Sequence, residues 1–126
     1  MYGLLFLIRI GGEMMNITKR NALRLWERYF GSAEYAEDFH GNFMCKHGYG
    51  NPDYYIWDRG TRIYCGWNIH HVLPLALGGT NAISNLICTN IITNEIAADK
   101  NTYWIDDCLY QVQRDIGKTY SIVRIR

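Results

Sequence analysis

One long stretch of the chain, "NITKRNALRLWERYFG", places apolar residues at helical spacing: Ala22, Leu23, Leu25, Trp26, Tyr29 and Phe30. The pattern predicts an amphipathic helix with Thr18 as N-cap and Gly31 just past its end. Arg20, Arg24 and Arg28 stand four apart on the polar side. Such a stripe can follow a phosphate backbone, although its first reading is a solvated face.

Elsewhere the helical period is lost. "DFHGNFMCKHGYGN" (38–51) mixes glycines with aromatic residues and reads as irregular chain with short strand pieces. "DYYIWDRGTRIYCGWNIHH" holds two aromatic and β-branched runs around Asp58-Arg59-Gly60, a hairpin signal. Pro74, Gly78 and Gly79 make 72–84 a loop. A short strand over Ser84–Ile87 and a helix from about Thr89 to Lys100 are expected next. The tail alternates with period two around Ile116-Gly117-Lys118, predicting a closing hairpin, with a helix over 103–113 as the competing reading.

At 126 residues, 48% hydrophobic and 20% charged, the chain reads as one domain, 1–126. A net charge of +1 lacks the strong basic excess of a general polyanion binder, so any nucleic-acid contact must come from local clusters. The candidates are Arg20, Arg24 and Arg28 on the helix, with Arg59 and Arg62 on the hairpin. Cys45, Cys65, Cys88 and Cys108 are isolated from one another, with no CxxC pair, and read as four reduced thiols rather than a zinc site. The apolar run Leu4–Ile8 is too short to span a bilayer and has no cationic segment before it. Residues 1–13 read as an edge strand or as an extension upstream of a start at Met14 or Met15, the second being favoured. A cytoplasmic protein with no membrane partner is the expectation.

The chemistry concentrates in "GWNIHHVLPLALGGTNAISNLICTNIITNEIAADK" (66–100), where two of the four histidines, His70 and His71, stand side by side at the end of an apolar run. Neighbours on a regular strand point to opposite faces, so two useful histidines here require an irregular strand end, which the following loop can supply. Asn85 follows His71 by 14 positions and Asn94 by 23. His40 and His47 read as incidental, with metal or phosphate contact as the lesser reading; Trp57, Trp67, Trp104 and the ten tyrosines read mostly as core or hairpin packing, with base stacking by one or two as the lesser reading.

The segment resembles the HNH, or His-Me finger, nucleases. The resemblance is carried by Gly66-Trp67 before the dyad, Pro74, Gly78-Gly79, Asn85-Leu86 and Thr93-Asn94, in that order, and covers 63–100. It implies an α+β fold: a ββα-metal core with the N-terminal amphipathic helix and additional β-hairpins. It further implies a metal-dependent endonuclease hydrolysing DNA phosphodiester bonds to leave 5′-phosphate and 3′-hydroxyl ends. His71 would be the general base, a role suited to the side chain whose ordinary pKa of about 6.5 lies near neutrality. His70 and Asn94 would hold one divalent metal ion (Mg, Mn, Ni, Co or Zn) as Lewis acid. Asn85 would assist catalysis by orienting the loop and His71.

The chain departs from the family pattern in three places. Most members carry Asp or Asn where His70 stands, although colicin-type nucleases also have His-His. The colicin-type pattern has a further His where this chain has Ala98, and many relatives carry a Lys where it has Ala97. These departures keep a second expectation open: a catalytically weak HNH-fold binding protein, docking on nucleic acid or on a protein partner, for instance as a phage-encoded inhibitor of a defence complex.

Overall fold

A computed structural model describes residues 13–126; the expectations for residues 1–12 lie outside the described residues. The described chain is a mixed α/β fold of two α-helices and four small β-sheets. It divides into two compact units, one of Ile17–His70 with Ile87–Ile96, the other of His71–Leu86, Ala97–Arg126 and the described part of Met1–Asn16.

The first unit opens with α1 (Lys19–Phe30), the helix expected from its periodicity. The Thr18 hydroxyl accepts the Asn21 N–H at 3.1 Å, satisfying one of the donors a helix start leaves unpaired. Gly31 ends the helix at φ +61, its N–H donating to Glu27 O. Ala22, Leu25 and Trp26 form the buried face. The Trp26 indole N–H donates to Ala33 O at 2.8 Å, and its ring lies 5.1 Å from that of Trp67, so a large apolar surface is buried without stranding its polar atom.

Two antiparallel hairpins follow, β1 (Tyr35–Glu37) with β2 (Phe43–Cys45) and β3 (Tyr55–Asp58) with β4 (Thr61–Tyr64). The second is the hairpin read from Asp58-Arg59-Gly60. Arg59 and Gly60, at φ +50 and +78, occupy the two left-handed positions that a type I′ turn demands. Then β5 (Trp67–His71) pairs with β6 (Leu86–Asn90), the ladder being bracketed by Ile91 N–H to Gly66 O and Val72 N–H to Asn85 O, which makes it antiparallel. Gly66 is obligatory at the entry to β5, because a Cβ there would overlap Asn51 O.

Two boundaries differ from expectation. The strand expected over Ser84–Ile87 begins later, at Leu86, since Ile83–Asn85 forms a 3-10 turn closed by Asn85 N–H to Ala82 O. The helix expected over Thr89–Lys100 is shorter, α2 (Ile91–Ala97). Asn90 starts it by accepting the Ile92 N–H at 2.9 Å, and Ala98, at φ +47, stops it.

In the second unit, β7 (Thr102–Ile105), β8 (Cys108–Arg114) and β9 (Tyr120–Arg124) form an antiparallel meander. The closing hairpin is present. The competing helix over 103–113 is not, because Tyr103, Ile105, Tyr110 and Val112 alternate inward with the period of a strand. The four cysteines are free thiols, and no helix among the described residues is long and apolar enough to cross a membrane.

Candidate functional site

His70 and His71 end β5 with different environments: His70 is 4% exposed, His71 half-buried. The His70 Nδ1 lies 2.6 Å from Asn94 Oδ1, on α2. An amide oxygen only accepts, so Nδ1 carries the proton of this bond. Asn94 reaches His70 because α2 is held at its first turn by a buried polar network. Asp38, buried between hairpin and helix, accepts N–H bonds from His40, Asn42 and Asn90. The Asn90 side chain donates from Nδ2 to Phe43 O and accepts the Ile92 N–H at Oδ1, and the Asn42 amide donates to Thr93 Oγ1 at 2.8 Å. Every one of these groups is costly to bury unpaired, so the network fixes one orientation of α2.

In the other unit, His71 Nε2 is 2.7 Å from Asn81 Oδ1. By the same argument Nε2 is the protonated nitrogen and Nδ1 keeps its lone pair. Asn85 is buried and commits its whole side chain to the loop between β5 and β6: Oδ1 accepts from Leu73 N–H at 2.8 Å, while Nδ2 donates to Leu73 O and Thr80 O at 3.0 and 2.9 Å. Within the loop, Gly79 lies so near Leu73 O that no side chain fits.

The structure therefore brings His70 to Asn94 and makes Asn85 the loop's clamp. His47 is on the surface, paired with Glu34 at 3.0 Å, and His40 contributes a backbone N–H to Asp38. Arg20, Arg24, Arg28, Arg59 and Arg62 are all exposed; the Arg62 guanidinium stacks 4.2 Å over the Tyr55 ring. Among the described residues no group of three His, Cys, Asp or Glu side chains converges as a metal cage. Three residues escaped the sequence reading: Asn81, Asp38 and Asn90. Asn81, two residues past the glycine pair, is one amide among several, and the bond from Asn90 N–H to Asp38 spans 52 positions, a separation that no local pattern reports.

Compared with protein-family models, with curated proteins and with solved structures, the chain matches none.

Proposed function

We propose that this protein is a metal-dependent endonuclease of the HNH kind, hydrolysing DNA phosphodiester bonds with β5, β6 and α2 as its ββα-metal core. The observation that carries the reading is the His70–Asn94 pair, an imidazole nitrogen and an amide oxygen 2.6 Å apart at the junction of strand and helix. Two neighbouring ligands of one small cation, each at ~2.1 Å, stand about 3 Å apart, so this pair fits a divalent ion after an adjustment of a few tenths of an ångström and loss of the shared proton. Two protein ligands leave positions for water and phosphate, as catalysis requires. Bound there, the ion supplies Lewis acidity toward a phosphate oxygen and the leaving 3′ oxygen.

The remaining chemistry belongs to the chain. His71, with Nε2 held by Asn81, offers Nδ1 to take the proton of the attacking water. Asn81 fixes the ring and its tautomer. Asn85 keeps the loop that carries Asn81 closed, through its bonds to Leu73 and Thr80. The test is nicking of supercoiled plasmid by purified protein across a panel of divalent metals, beside His71→Ala. Metal-dependent nicking lost in the variant supports the assignment; variant activity within about threefold of wild type removes it, since a general base contributes typically ~10²–10⁴-fold.

A second reading has its own observation. Ala97 is fully buried and Ala98 turns out of the helix at φ +47, so α2 offers no side chain beyond Asn94 for a further ligand or cation at these two positions. That favours a catalytically weak HNH-fold binding protein docking on a protein partner. An in-cell effect that survives His71→Ala, with no DNA retention by the wild type, selects it over the nuclease.

A further inference from the structure

Beside the loop closed by Asn85, the second unit contains a cavity of about 80 Å³ whose lining includes Gly78, Thr80, Ser84, Asn85, Lys118 and Tyr120. We propose that this cavity takes a phosphate group, with Lys118 as its counter-charge. The volume matters first. A cavity of about 80 Å³ has room for a tetrahedral oxyanion.

The lining supplies what such an anion needs. Lys118 is exposed, in the turn closed by Asp115 N–H to Thr119 O. The nearby Asp115 carboxylate accepts from the Ser121 hydroxyl at 2.7 and 2.8 Å and from the Thr119 hydroxyl at 3.3 Å, contacts that fix its position while it keeps its charge. The Thr80 oxygen accepts the Ala82 N–H at 3.2 Å, which leaves its own O–H to donate. Ser84 adds an exposed hydroxyl. Asn85 forms a rigid wall, because both ends of its amide are bonded to Leu73 and Thr80. Gly78, at φ +97, contributes backbone to the lining. One lysine and two hydroxyls beside the amide wall give this cavity donors for a single anion.

The phosphate's carrier is a nucleic-acid backbone; this part rests on the nuclease reading, whereas affinity for phosphate itself does not. The experiment titrates ¹⁵N-labelled protein, in EDTA, with inorganic phosphate and separately with a short DNA duplex, for the wild type, Lys118→Gln and Lys118→Arg. Both ligands are expected to shift the amides of Gly78, Thr80, Ser84 and Lys118 and to saturate. Lys118→Gln should weaken duplex binding about threefold to tenfold and lower the salt slope by about one, and Lys118→Arg should restore both. If neither ligand moves these amides, or if Lys118→Gln binds as the wild type does, the site is overturned. Shifts with phosphate alone overturn the nucleic-acid carrier. The nicking assay is read separately: saturating shifts without nicking sink the nuclease and keep the site, while nicking unchanged in Lys118→Gln, with no shifts, does the reverse.

Discussion

His71 Nε2 and Asn81 Oδ1 stand 2.7 Å apart across ten positions of chain, so the imidazole is anchored by a side chain of the loop that follows its own strand. His71→Ala is expected to lower nicking by ~10²–10⁴-fold. Its thermal melt should stay close to wild type, because a half-buried ring is lost rather than a core residue. Asn81→Ala should keep the base but release its tautomer, reducing kcat by roughly tenfold with little change in KM. Plasmid nicking with circular dichroism on the same samples checks both.

The neutral nitrogen–oxygen pair of His70 and Asn94 suits borderline cations better than Mg²⁺, which prefers hard oxygen ligands. Activity is expected to be higher with Mn²⁺, Co²⁺ or Ni²⁺, and His70→Asp should raise Mg²⁺-supported cleavage about tenfold. A metal titration of both proteins decides this; saturating activity in Mg²⁺ unaffected by His70→Asp would contradict the ligand role.

Asn90→Ala should cost roughly 1–2 kcal/mol, since it removes a helix cap and leaves the part-buried Phe43 O without its amide donor. Urea unfolding measures it. A loss under about 0.5 kcal/mol would mean the network relaxes freely.

Arg59 occupies a left-handed position at φ +50 that glycine or asparagine fills without strain. Arg59→Gly is therefore expected to stabilise the hairpin by about 0.5–1 kcal/mol. If the hairpin contacts DNA, the same change should also lower the salt slope of binding by about one. Arg62→Ala removes the ring contact with Tyr55 as well as a charge, so it should lower both stability and affinity. Melting curves and gel shifts over a salt series separate the two effects.

Burial pushes the Cys65 thiol up to about 11 and the Cys88 thiol up to about 12. A raised thiol pKa means less thiolate, so at pH 8 each presents at most about one part in 10³ in the reactive form. Alkylation of the native protein should begin at the half-buried Cys108, with Cys65 and Cys88 reacting only after unfolding. Peptide mass mapping at short times tests the order.

Local signals made some of this legible in advance. Thr18 and Gly31 bracket α1 because capping chemistry acts within three or four residues. The Asp58-Arg59-Gly60 turn works at still shorter range. The resemblance to the HNH motif implies a pairing of His70 with Asn94, and the structure sets the two side chains in contact. The sequence places the start of α2 at about Thr89, but the strand runs on through Asn90, whose side chain accepts the Ile92 N–H and caps the helix. The Asn81 and Asp38 partnerships were out of reach, since many asparagines and backbone amides compete as partners until the chain has closed.

The bond from Asn90 N–H to Asp38 joins residues 52 positions apart, and it bears on how the chain acquires its shape over time. Closing so long a segment is entropically slow, and the hairpin of β1 and β2 can form early without it. The short helix that carries Asn94 has only seven residues, too few to persist alone in water. It must therefore await the long-range closure, which makes its orientation a late event in folding. A nascent chain released before Asn90 would leave the Asp38 carboxylate without the Asn90 donor, so the acquisition of His70's partner is coupled to completion of the unit.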